Sequence, residues 1–157
     1  MKHTIYALVE NKPGVLARIS GLFSARGFNI DSLAVGETND PTMSRMTIIV
    51  DAKEDRILDQ IKKQLHKLID VINVEDLTKK DFFERELVLV KVKNSGTTRR
   101  KLAALLKKFP AVILSYDKQT AVIQAVGSKA QISDMLAALN GLVITELVRT
   151  GRVAIAK

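Results

Sequence analysis

Asn11-Lys12-Pro13-Gly14 places a side-chain amide, a stiff residue and a residue without a side chain where a strand pattern gives way to a helix pattern. The Asn11 amide can donate and accept at once. Pro13 rigidifies the turn, and Gly14 lets a ligand approach the backbone where a Cβ would otherwise stand. Beyond it, Val15 and Leu16 open the helix, and the free N–H groups of a first helical turn can hold a small carboxylate. The chemistry on offer is the holding of a small anion such as a carboxylate. A Pro-Gly pair also makes a plain strand-to-helix turn, and taken alone that is the commoner reason for one.

Nothing else in the chain suggests a catalytic centre. Ser20, Ser24 and Ser32 have no His or Lys base at a recognisable spacing, and no glycine-rich phosphate loop is present. The chain has no Cys, which excludes disulfides and thiolate metal sites. Its two His residues, His3 and His66, are far apart in sequence, and His66 falls on a polar helix face where a solvated role is expected. A sensor or regulatory module fits better than an enzyme.

The elements that must position the turn form a repeat. Hydrophobic periodicity predicts strand 3–10, helix 14–26, strand 28–37, strand 44–51, helix 54–68 and strand 71–78, then strand 84–93, helix 97–108, strand 111–117, strand 120–126, helix 128–140 and strand 142–149. Ile57, Leu58, Ile61, Leu65 and Leu68 make one helical stripe, and Leu102, Leu105, Leu106 and Phe109 another. Gly27 and Gly141 stand where left-handed helix C-caps are expected. Each half reads β-α-β-β-α-β. That order implies an α+β fold of two ferredoxin-like βαββαβ domains in tandem, residues 1–78 and 79–157, joined around 78–83. Both helices of such a domain lie on one sheet face, so the other face needs a cover, commonly a second copy.

Charge separates the halves. Residues 1–80 carry 12 Lys/Arg and 11 Asp/Glu, a balance of +1, whereas residues 81–157 carry 13 and 6, a balance of +7. Arg99, Arg100, Lys101, Lys107 and Lys108 cluster around one helix. A basic half invites a nucleic-acid reading, but aromatic residues are only 4% of the chain, too few for stacking platforms, and no helix-turn-helix or zinc-finger spacing occurs. A basic surface facing an acidic protein partner demands less. No apolar run approaches the ~20 residues that span a bilayer, and no signal or transit peptide is expected, which fits a cytoplasmic protein.

Pro13-Gly14-Val15-Leu16 followed by Ile19 resembles the ACT domain, a small amino-acid-binding regulatory module. Further runs look like the regulatory small subunit of acetohydroxyacid synthase (acetolactate synthase): Gly21-Leu22-Phe23-Ser24-Ala25-Arg26-Gly27-Phe28-Asn29-Ile30, Ser44-Arg45-Met46-Thr47-Ile48, the segment from Lys63 to Val71, Arg85-Glu86-Leu87, and Glu146-Leu147-Val148-Arg149-Thr150-Gly151. The resemblance covers both halves, with little diagnostic sequence in 94–135.

It implies a non-catalytic subunit of branched-chain amino-acid biosynthesis, without a cofactor or metal of its own. Its implied partner is a large catalytic subunit using thiamine diphosphate, Mg and FAD, which it activates and makes sensitive to feedback by valine, leucine or isoleucine. The ACT domain is then the N-terminal one, 1–78, and 79–157 docks the catalytic subunit. Family ACT domains pair side by side, which implies a homodimer with the effector at its interface. The implied effector residues are Asn11, Pro13, Gly14, Val15, Leu16, Asn29 and Ile30, with Asn29 reaching the ligand from the opposing subunit. Without the resemblance Asn29 reads as a turn residue after Gly27. Gly21, in mid-helix, serves either a close helix approach at an interface or nothing. Arg149 and Arg152 are candidates for catalytic-subunit docking, or an ordinary solvated tail. Two other readings stand beside it: a free-standing amino-acid-responsive regulator, though the chain shows no DNA-binding segment, and a ferredoxin-like enzyme or nucleotide-binding subunit, suggested by the basic second half. Neither nucleic acid nor membrane is an expected partner.

Overall fold

Alternation decides how the first half folds. In β1 (Lys2–Glu10) Ile5, Ala7 and Val9 point to one side, as do Met46, Ile48 and Val50 of β3 (Met43–Asp51), and all six are buried. Against them lie Val15, Ile19 and Phe23 of α1 (Val15–Ser24) and Leu58, Ile61 and Leu65 of α2 (Asp55–Leu65), spaced three and four apart. With β2 (Ile30–Glu37) and β4 (Val71–Asp76) the strands make an antiparallel sheet in the order β2-β3-β1-β4. This computed structural model describes residues 2–51 and 55–157; the expected helix start at Glu54 lies outside them.

The second half repeats the plan with β5 (Phe82–Lys93), α3 (Thr98–Lys108), β6 (Ala111–Tyr116), β7 (Thr120–Gly127), α4 (Lys129–Ala138) and β8 (Ile144–Arg149), ordered β6-β7-β5-β8. Its core joins Val88, Val90 and Val92 to Ala121, Ile123 and Ala125, beneath Leu102, Leu105, Ile132, Met135 and Leu139. The tandem ferredoxin-like reading therefore holds, with helix ends trimmed by one to three residues where the chain turns into caps. Gly27, at φ 68°, ends α1 as expected, and the next amide, Phe28, donates to Phe23 O.

One element was not foreseen. Val153–Ala156 forms β9, and residues 152–157 group with Met1–Phe83, leaving Glu84–Gly151 as the second unit. The expected division at 78/79 placed these residues in the second half. β9 pairs with β5, and side chains on the outer face of the first sheet hold its backbone, which explains the difference. Its outer face, away from the helices, presents the rows Thr4–Ile49–Ser32, Tyr6–Thr47–Ala34 and Leu8–Arg45–Gly36. Ser32, Ala34 and Gly36 are small, so another strand can approach closely. Arg152 N donates to Ser32 Oγ (3.1 Å), Ala154 N to Thr47 Oγ1 (3.3 Å) and Arg45 Nη2 to Ala154 O (2.9 Å). The Arg45 guanidinium also lies 4.0 Å from the centre of the Tyr6 ring. A stretch read from sequence as a tail is thus part of the first unit's cover. Alternating patterns reveal a strand with one buried face, but four residues ending a chain carry too little pattern.

Arg149 is also tied inward. Its Nε and Nη2 donate to Glu86 Oε1 and Oε2, both at 2.7 Å, and the Glu86 side chain is only 4% exposed. That forked bond holds the Arg149 proton more firmly than usual, against the opposing effect of burial. Removing the cation strands a buried carboxylate. We expect Arg149→Ala to cost about 2 kcal/mol of stability, with part of the loss recovered when Glu86→Gln is added. Thermal melts of both variants check this, and an unchanged midpoint in Arg149→Ala contradicts it.

Candidate functional site

Gly14 adopts φ 84°, a left-handed conformation that costs any residue with a Cβ, and it sits directly before α1. No side chain caps that helix, and the Val15 amide reaches back only weakly, to Lys12 O at 3.4 Å. The first turn therefore offers a positive dipole end with unclaimed donors. Arg18, one turn on, overhangs the same place: a Cβ on Gly14 would lie 3.0 Å from its Nη1. Arg18 is held there by Asp70, whose carboxylate is 10% exposed and accepts from Nε (2.8 Å) and Nη2 (2.7 Å). An anchored guanidinium and a helix start without a side-chain cap lie side by side there, an arrangement that suits an anion. Leu16, 45% exposed, gives it an apolar flank.

Asn11 closes the other side. Its backbone N–H donates to Thr42 O (2.7 Å), and its Nδ2 donates to Pro41 O (2.9 Å) and Glu37 Oε1 (3.1 Å). The β2–β3 loop it grips is organised by Asp40, which accepts from Thr42 N and Thr42 Oγ1 and so has its carboxyl held below the usual range. Glu37 brings a carboxylate to the turn, suited to an ammonium group.

The second unit shows which of these features is particular to the first. Asn94 mirrors Asn11: its N–H donates to Gln119 O in the β6–β7 loop and its Nδ2 to Asp117 O. The asparagine therefore has a structural duty in both units, latching a central strand to a hairpin loop. The helix starts differ. At the start of α3 the fully buried Thr98 receives the Ser95 N–H at its Oγ1 (2.9 Å) and bonds Lys93 O, which ties the turn together. The α3 start likewise carries no side-chain cap, so what sets the first turn apart is the left-handed glycine beneath Arg18.

The expected site residues fall into two groups. Asn11, Pro13, Gly14, Val15 and Leu16 share one turn. Asn29 and Ile30 do not join them within the chain. Ile30 pairs with Val50, which pairs with His3, whereas Glu37 pairs with Ser44 and hence Val9. Seven residues of strand, about 23 Å, separate the two ends. Asn29 bonds Asp31 Oδ1 at 2.9 Å, and Ile30 is half-buried against the core. Arg18, Asp70 and Glu37 were not foreseen. Arg18 had a signal, standing four residues after Gly14 and so on the same helix face; Glu37 and Asp70 come from other strands and had none.

Gly21 is exposed and a Cβ there would meet nothing within 4 Å, so nothing in the described chain requires a glycine. His66 is exposed, as expected. Among the described residues no three His, Cys, Asp or Glu side chains are grouped to hold a metal ion, and no helix is long and apolar enough to cross a membrane.

Known proteins agree along the whole chain. Residues 5–73 match a family model described as the AHAS small subunit-like ACT domain, and residues 85–157 one described as the small subunit of acetolactate synthase. A probable acetolactate synthase small subunit of Archaeoglobus fulgidus is 43% identical over 157 residues, covering 100% of this chain and 98% of the relative. The acetolactate synthase small subunit of Mycolicibacterium smegmatis is 43% identical over 155 residues, 99% of this chain and 91% of the relative. The crystal structure of the Thermotoga maritima small subunit superposes with a TM-score of 0.91 at 33% identity, covering 100% of this chain and 98% of that one. By these matches, with an ACT domain in its first unit, this chain belongs to the acetolactate synthase small-subunit family, as a regulatory and non-catalytic subunit.

Proposed function

We propose that this chain activates the large catalytic subunit of acetolactate synthase, in the cytoplasm, and makes it responsive to a branched-chain amino acid, valine foremost. The observation that carries the effector site is the left-handed Gly14 turn, with its uncapped helix overhung by Arg18. The ligand's carboxylate lies against the first-turn amides and Arg18, and its ammonium toward Glu37 and the Asn11 carbonyl oxygen. Leu16 flanks the aliphatic group.

Pairing supplies Asn29. β2 is an edge strand, bonded on one side to β3. Two such edges pair antiparallel about a two-fold axis, and the start of one β2 then adjoins the end of the other. Asn29 of the partner subunit thereby comes to the Glu37–Asn11 end, with Ile30 of the partner subunit beside it. Ligand binding and pairing of the ACT domains then reinforce each other, as linkage requires.

Docking of the large subunit rests on the second unit's basic helix face. Arg99, Arg100, Lys107 and Lys108 are exposed on α3 and alike in charge, which suits an acidic partner. Arg149 and Arg152 remain within this docking proposal, but Arg149 makes a poor probe because its loss also frees Glu86.

Calorimetry with the chain, alone and with its large subunit, should show saturable binding of L-valine and none of D-valine. Gly14→Asp sets a carboxylate against the ligand's own and should weaken binding by at least ~100-fold, with the melting curve unchanged. Undiminished affinity in a folded Gly14→Asp, or no binding under either condition, refutes the site. Association with the large subunit should weaken as screening shortens from ~10 Å at 0.1 M salt to ~3 Å at 1 M. It should weaken further in Lys107→Glu with Lys108→Glu. Indifference to both counts against docking through α3.

A further inference from the structure

Ile69 stands 93% exposed in the turn between α2 and β4, a place where polar residues are the rule. The turn does not present it loosely. Leu68 packs against the first unit's core, the Val71 N–H closes the turn on Leu68 O (3.0 Å), and Asp70 O accepts the Glu10 N–H (2.8 Å). The Asp70 carboxylate also grips Arg18. Three residues on, the pairing of β4 with β1 skips Ile72, and the extra residue of that bulge is 54% exposed. An isoleucine fixed on both sides and turned to solvent adds nothing to the core. It also needs no ordering before it fills an apolar recess in another molecule.

Charge says what that molecule carries. Residues 59–72 hold Lys62, Lys63, Lys67 and His66 against Asp59 and Asp70. Both carboxylates are taken, Asp59 by Lys62 and Asp70 by Arg18, and on the neighbouring strand Glu10 is taken by Lys12. Lys63, His66 and Lys67 are exposed, and neither lysine forms an ion pair with a described residue. A second copy would set these cations against each other, and the ACT pairing proposed above uses β2, at the opposite edge of the sheet from β4. The corner fits an acidic surface with an apolar recess. We propose that the 66–72 corner is a contact of the first unit with the large catalytic subunit. Ile69 enters a recess whose rim carries carboxylates facing Lys63 and Lys67. This contact is additional to docking through α3 and rests on the large-subunit partnership proposed above.

Ile69→Asp leaves the core untouched and sets a carboxylate on the tip of the turn. The chain should keep its melting curve, while its association with the large subunit, read by calorimetry, should weaken at least about tenfold. Lys63→Glu with Lys67→Glu should weaken it likewise. Ile69→Leu, which keeps an apolar tip, should bind as the parent does. Gln119→Asp makes the same charge change in the exposed β6–β7 loop and should have no effect. An Ile69→Asp chain with the parent's melting curve that holds the large subunit as tightly as the parent overturns the proposal. A loss equalled by Gln119→Asp overturns it too, because the effect is then one of net charge. Association lost in the α3 variants but kept in Ile69→Asp leaves docking through α3 standing alone, whereas a parent chain that never associates removes both. L-valine binding by the isolated chain is read separately and tests the effector site only.

Discussion

A four-stranded sheet that carries both helices on one face has to hide the other face, and much of this chain follows from that constraint. In the first unit, small residues on β2 admit the chain's last strand, which Thr47, Ser32 and Arg45 hold by its backbone. Residues 152–157 thereby become part of the first unit. In the second unit the same face is apolar, with Val112, Leu114, Val126 and Val148 exposed on it.

Two copies of one topology also diverge at their ligand-sized turns. Asn11 and Asn94 do the same work, tying a central strand to the loop across the sheet. What differs is the start of the following helix. Thr98 ties the second turn together through its hydroxyl, whereas the first turns on a left-handed Gly14 beneath Arg18; neither helix start carries a side-chain cap. Asp70 fixes the guanidinium, so in the proposed site Arg18 would not have to be ordered on each binding event.

The sequence was most legible where a single element carries the information. Apolar spacing located the helices, and Gly27 marked the end of one of them. Pro13-Gly14 marked the turn because its residue types are unusual and adjacent. The resemblance to the small-subunit family was carried by local runs in both halves, and it supplied Asn29, which no local pattern would have singled out. The contributions of Glu37 and Asp70 were invisible because they depend on which strands become neighbours. The ion pair of Arg149 with Glu86 spans 63 residues of chain and joins groups that each read as surface. β9 was missed for the opposite reason: four residues with one buried position form too short a pattern to announce a strand.

The central claim is that the effector site is shared, with the Gly14 turn from one chain and Asn29 from another, because register places them about 23 Å apart in a single chain. Co-expressing Gly14→Asp chains with Asn29→Ala chains tests it directly. Either variant alone builds no complete site. Mixed dimers hold one complete and one doubly damaged site, so a random mixture should recover about a quarter of the parent's L-valine sites at the parent's affinity. A titration showing no recovered high-affinity sites, in mixtures shown to contain mixed dimers, would contradict the account and place the whole site within one chain.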